Sequence, residues 1–174
     1  MARVAFITST FPDYKDCPHG QAAGFITTTL ASLGHEMHVI TTADESIRSS
    51  FGKVNVHKSI IDWNAFDLHR LTATLQQIRP QIVHISHPTK IAAQKSKVLV
   101  SMIPELAHIA LRTPVLTTLN DWTDDSWFEK LKSLPLLVSS DAITVSHRYL
   151  LRNLSKFLPQ AQKGKIHVVP EGTP

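Results

Sequence analysis

The sequence predicts an α/β domain: a doubly wound parallel sheet with helices on both faces. Two observations carry this. Short runs rich in β-branched and apolar residues (RVAFIT, MHVIT, QIVHI, VLTTL, AITV, IHVV) alternate with stretches of helical periodicity along nearly the whole chain. Those runs are continuously apolar rather than alternating, as strands covered on both faces are. A length of 174 residues with 43% hydrophobic content fits one domain. A chain of this size buries roughly 70% of its unfolded surface and needs no disulfide to fold.

Taken in order, Arg3 to Thr8 reads as the first buried strand, and Phe11 to Gly20, with Pro12, Asp13, Asp16 and Pro18, as a loop. Gly24 to Leu33 reads as a helix with Phe25, Ile26, Leu30 and Leu33 near one face, closed by Gly34. Met37 to Thr41 is the second strand, Ala43 to Gly52 is polar and irregular, and Val54, Val56 and Ser59 to Ile61 give a poorer third strand. Asn64 caps a helix bearing Phe66, Leu68, Leu71, Leu75 and Ile78, which ends before Pro80. Gln81 to Ile85 is a strand. Thr89 to Leu111 is a long helical stretch broken near Pro104, and Val115 to Leu119 is another strand. Trp127 to Leu137 is helical with a break at Pro135. Ala142 to Val145 is a strand, Ser146 caps a helix to about Leu154, and Ile166 to Val169 is the last strand. The total is six or seven strands.

Composition removes several function classes. A single cysteine, Cys17, leaves no disulfide framework and no cysteine-rich zinc site, and fits a reducing compartment. No apolar run reaches the ~18 residues of a spanning helix, and MARVAFITST is too short for a secretory core, so the expected location is cytoplasmic. The net charge of +4 lies wholly in the second half, where Arg148, Arg152, Lys156, Lys163 and Lys165 cluster. Such a cluster suits a solvated helix face, a phosphate-bearing partner or an anionic membrane surface, hence a peripheral position at the inner membrane face. Nucleic acid is not expected, because no basic run is interleaved with aromatics.

In a doubly wound sheet, ligands bind outside the carboxyl ends of the strands. The first such loop holds neither a G-x-G-x-x-G nor a P-loop pattern, which argues against dinucleotide and nucleotide-triphosphate enzymes. Gly20 and Gly24 flank a helix start that can offer N–H groups to an anion, or serve only as a turn. His84, Ser86 and His87 end the fourth strand in VHISHPT. His84, mid-strand, reads as a satisfied core histidine, and no third ligand for a metal lies nearby. Asn120 and Asp121, with Asp124, Asp125, Trp122 and Trp127, form an acidic, indole-bearing loop suited to sugar hydroxyls or to plain solvation. Ser146 is a helix cap, or a helix end facing the same cleft that holds an anion.

The segments RVAFITSTFP, LASLGHEMHVITT, RPQIVHISHP, TPVLTTLND, SSDAITVSHRYLLRNL and KIHVVPEGTP occur in that order. Together they resemble the N-terminal half of retaining nucleotide-sugar glycosyltransferases of family 4 (group 1). The resemblance implies a Rossmann-like domain over residues 1–174, the acceptor side of a GT-B fold. It implies a nucleotide-sugar donor, a sugar or lipid-linked acceptor hydroxyl, retained configuration, and neither cofactor nor metal. Most of the nucleotide site would belong to a second domain that the chain, ending Glu171-Gly172-Thr173-Pro174, lacks.

Aligned on His84 and Pro88, Ser86 stands where the family places a donor-sugar histidine, with His87 beside it. Asn120 replaces a second family histidine, Gly20 stands nearest the paired glycines, and Glu171 replaces a hinge asparagine. The resemblance therefore implies Ser86 and His87 as the catalytic pair, and Gly20, Asn120, Asp121 and Ser146 as substrate contacts. Two other classes stay open. One is a non-catalytic binding or anchoring half of a split or degenerate transferase. The other is a GT-B epimerase, whose usual early loop TSTFPDYKD does not match.

Overall fold

A computed structural model describes residues 1–11, 18–44, 50–87, 97–119 and 127–170. One sheet contains β1 (Arg3–Ile7), β2 (Glu36–Thr42), β3 (Ser50–Phe51), β4 (Val54–Ile60), β5 (Ile82–His87), β6 (Val115–Leu119), β7 (Ala142–Val145) and β8 (Ile166–Val168). Their order is β3-β4-β2-β1-β5-β6-β7-β8, with seven strands parallel and β3 antiparallel to β4. The helices are α1 (Pro18–Ser32), α2 (Leu68–Ile78), α3 (Lys97–Leu106), α4 (Trp127–Lys132), α5 (Leu134–Ser139) and α6 (Arg148–Phe157).

Right-handed crossovers decide which face each helix covers. The chain leaves β1 toward β2 in one direction, and from β4 onward it moves the other way, through β5 to β8. The helices of the second run therefore share a face. There Ala5, Ile40, Val83, Ile85 and Val115 pack against Leu71 and Leu75 of α2, Val100 and Ile103 of α3, and Leu136 of α5. Further along, Ile143, Val145 and Ile166 meet Leu150 and Leu154 of α6. On the opposite face, Val4, Phe6, Met37, Val39, Val54 and Val56 meet Ala23 and Ala31 of α1. Among the described helices, α1 alone lies on that side, leaving the β5–β7 stretch of this face, with Ile82, His84, Ser86, Thr118 and Thr144, without one.

Several elements differ from the sequence expectation, each for a local reason. α1 begins at Pro18 rather than Gly24, because proline is preorganised for a helix's first turn. Its buried face is also the reverse of the expected one. Gly20, Ala23, Thr27 and Ala31 are buried, while Phe25 and Leu33 are 73% and 70% exposed. Leu30 packs only partly against the core, and at the helix start a Cβ on Gly20 would stand 3.3 Å from the Phe11 carbonyl oxygen, so there the approach is close.

The β3–β4 hairpin turns at Gly52-Lys53, with Gly52 at φ +61° supplying the positive φ of a two-residue turn. Asn64 caps a 3₁₀ turn (Ala65–Asp67) before α2, its Oδ1 accepting from the Phe66 N–H at 2.8 Å, and leaves Phe66 exposed. Pro104 sits inside α3 without ending it, and a π turn (Ala107–Leu111) follows. Of the expected long helix, residues 89–96 lie outside the described residues. The break in the next helical pair falls at Ser133, since Pro135 is tolerated in the first turn of α5.

Candidate functional site

The carboxyl ends of β1, β5, β6 and β7 lie side by side, and the winding direction reverses between β1 and β5. That reversal opens a crevice, the usual ligand position of such sheets. Gly20 borders it from the first turn of α1, held against the Phe11 backbone just beyond β1. Its N–H is one of the first four of the helix, which have no intrahelical partner. Gly24, by contrast, lies in the second turn. Its carbonyl accepts from Thr28 Oγ1 at 2.8 Å, so it does not open the helix.

Ser86 is buried near the end of β5, in register with Thr118 of β6. Two residues earlier on the same face, His84 is only 8% exposed. Its Nε2 lies 2.7 Å from Thr118 Oγ1, and Thr118 Oγ1 lies 2.6 Å from Thr144 Oγ1. The Phe6 ring meets the imidazole edge-on, with centroids 4.6 Å apart. Burial pushes the His84 pKa down to about 4, so the ring is neutral at neutral pH. A neutral ring nitrogen and two hydroxyls form a chain of one direction: with Nε2 unprotonated Thr144 donates to Thr118 and Thr118 to the ring, and with Nε2 protonated the ring donates to Thr118 and Thr118 to Thr144. His84 is thus a satisfied core histidine that anchors β5 to β6 and, through Thr118, to β7.

The backbone of His87 pairs with Leu119 at the end of β5. The His87 side chain and residues Asn120 and Asp121 lie outside the described residues. Ser146 is not the cap of α6: that position is His147, extended at φ −134°, with no side-chain cap bond. Ser146 instead follows directly after β7, 6% exposed, its Oγ buried without a hydrogen-bond partner. Sequence reasoning missed similar hydroxyls at the ends of β1 and β2. Ser9 Oγ, Thr10 Oγ1 and Thr41 Oγ1 are also buried and unpartnered. The legible signal was a Ser/Thr run directly after each apolar strand (TST, TT). Unpartnered buried hydroxyls concentrated at the carboxyl ends are what a polar ligand or bound water would satisfy. Among the described residues no group of three or more His, Cys, Asp or Glu side chains could hold a metal ion.

A family model, Glycosyltransferase Family 4, matches residues 25–174. The chain belongs to glycosyltransferase family 4. A family 4 chain with this topology has a solved neighbour, a glycosyltransferase from Rickettsia africae ESF-5, at TM-score 0.66 and 14% identity. That alignment covers 98% of this family 4 chain and 43% of its neighbour, so the chain spans less than half the neighbour's length. A DNA/pantothenate metabolism flavoprotein from Streptococcus pneumoniae aligns at TM-score 0.48 and 16% identity, over 83% of this chain and 80% of its own. No curated protein sequence matches at a significant level. Membership agrees with the resemblance read from the segment order, and the fold with the doubly wound sheet predicted from strand patterning.

Proposed function

We propose that this family 4 domain is the acceptor side of a transferase that moves a sugar from a nucleotide-sugar donor to an acceptor hydroxyl, with retention of configuration. The observation that carries the reading is the family match over residues 25–174, on a sheet whose β1/β5 crevice is bordered by Gly20 and Ser86. In this proposal the first-turn N–H groups of α1 near Gly20 attract an anionic group, such as a diphosphate. Ser86, His87, Asn120 and Asp121 offer polar contacts to sugar hydroxyls, and the unpartnered Ser146 hydroxyl accepts or donates one more bond at the β7 end. The bond from the anomeric carbon to the departing phosphate breaks as the acceptor oxygen bonds on the same face, and the acceptor proton passes to that phosphate. A second domain, beyond this chain, supplies most of the nucleotide contacts.

A specific feature favours a second reading, a non-catalytic half. Ser86 stands at the position of the family's donor-sugar histidine, and a hydroxyl does not replace an imidazole. His87→Ala, made in the protein carrying both domains, separates the two. If His87 substitutes for that histidine, kcat falls by on the order of 100-fold with folding intact, as loss of a transition-state contact does. A fall of less than about threefold, with KM unchanged, sends the role elsewhere.

We also propose that α6 rests on an anionic membrane surface. Arg148, Arg152 and Lys156 are all exposed and four residues apart, so they share one side of the helix, away from buried Leu150 and Leu154. Three such cations contribute about 3 kcal/mol near an anionic leaflet, enough for reversible attachment. The chain is expected to co-sediment with anionic vesicles at low salt, and the Arg148/Arg152/Lys156→Glu variant to stay in the supernatant. Wild type left in the supernatant would reduce the row to a solvated face. No described helix is long and apolar enough to cross a membrane.

A further inference from the structure

We propose that the outward face of α1 is a self-association surface, on which a second copy of this chain lays its own α1 antiparallel about a two-fold axis. The inference is independent of the transfer chemistry. α1 sets Ala23, Thr27 and Ala31 on the sheet with Leu30 partly buried beside them, and leaves Phe25 and Leu33 each about 70% exposed and Ile26 exposed beside them. Positions 22, 25, 26, 29 and 33 follow helical neighbour spacing, so these three side chains, Ala22 and Thr29 form one continuous stripe. Most surface helices bury such a stripe.

Three features select a second copy as the occupant. First, residues 18–32 contain no Lys, Arg, Asp or Glu, so two identical faces meet without like-charge repulsion. A helix built to lie on a membrane carries Lys or Arg along its polar face, and α1 has none. Second, the stripe is complementary to itself. A two-fold axis between positions 27 and 28 sets Leu33 over the partner copy's position 22, an alanine, and Ile26 over its position 29, a threonine. Each of these two side chains meets a smaller one, the pairing recurs once from each copy as in any isologous contact, and Phe25 falls opposite position 30, a partly buried leucine. Third, the area is sufficient. An aromatic of this size carries about 150–250 Å², so Phe25, Leu33 and Ile26 offer on the order of 300 Å² per copy. With Gln21, Thr29 and Ser32 at the flanks, the pair reaches on the order of 1,000 Å², the lower end of specific interfaces. Interfaces at this lower end belong to weak, transient pairs.

Sedimentation equilibrium of the 174-residue chain from about 1 to about 200 µM tests this. The mass is expected to rise from 19.4 kDa toward twice that value. Phe25→Glu and Leu33→Glu should each raise the dissociation constant by on the order of 100-fold, with unchanged circular dichroism and urea midpoint, since both sites are exposed. Cysteine linking fixes the register in a Cys17→Ser background. Ala22→Cys combined with Leu33→Cys should link under mild oxidation. Leu33→Cys alone should not, because the two copies of position 33 lie roughly 16 Å apart along the axis. A monomer throughout the range, a dimer indifferent to both Glu substitutions, or efficient linking by Leu33→Cys alone would each overturn the proposal. So would a monomer that pellets with neutral vesicles through Phe25, which assigns the stripe to a membrane.

Discussion

With its pKa at about 4 in the folded chain and about 6.5 unfolded, His84 makes stability depend on pH in a defined direction. The unfolded chain takes up the proton first, so stability falls as pH drops from about 6.5 toward 4, by up to about 3 kcal/mol from this one group. His57, also lowered by burial and by the neighbouring His38, acts in the same sense. Urea unfolding at several pH values checks this: His84→Gln should flatten the decline while keeping a hydrogen-bonding side chain toward Thr118. An equal decline in wild type and variant would remove His84 as the cause. At this scale the sequence revealed residue types well and their partners poorly. His84 was legible as core from its mid-strand position. Its link through Thr118 to Thr144 was not, because cross-strand pairing depends on register. Ser146 was misread as a cap because Ser before a helical run is the commonest capping pattern. The chain stays extended one residue longer, through His147.

Among the elements, α1 shows why periodicity can point the wrong way. Large apolar residues at helical spacing normally mark the buried side. Here the Phe11 backbone closes in on Gly20, the buried positions that follow include Ala23, Thr27 and Ala31, and Phe25 and Leu33 face out while Leu30 is only partly buried. Gly20→Val should therefore force α1 away from Phe11 and cost about 1–3 kcal/mol, as overpacking does. Gly164→Ala, where an added Cβ meets nothing within 4 Å, should cost little. Equal urea midpoints for the two variants would contradict the close-packed α1 entry. The strands were more legible than the helices because continuous apolar runs leave little freedom in a sheet covered by α2, α3, α5 and α6. The two-residue β3 escaped notice because such a strand has no periodicity to read.

Over the whole molecule, the alternation of strands and helices was enough to give the doubly wound sheet, and the order of six weak motifs was enough to give the family. The crossover rule then explains the uneven helix distribution, with α1 opposite the rest. The parallel direction of β1, β5, β6 and β7 places Gly20, Ser86 and Ser146 at one end of the sheet, although they are far apart in sequence. A groove bordered by Gln76, Arg79 and Thr113 lies near the amino ends of β5 and β6 and competes as a ligand position. Amide chemical shifts distinguish the two ends most directly. The labelled chain is titrated with UDP-, GDP- and ADP-sugars to about 20 mM, since binding by this domain alone should be millimolar, equivalent to about −4 kcal/mol. With at least one of these sugars, perturbations are predicted at Gly20, Ser86, Leu119 and Ser146, with Gln76, Arg79 and Thr113 unmoved. Perturbations confined to Gln76, Arg79 and Thr113, or none with any donor, would contradict a sugar-transfer site at the carboxyl ends of β1 and β5.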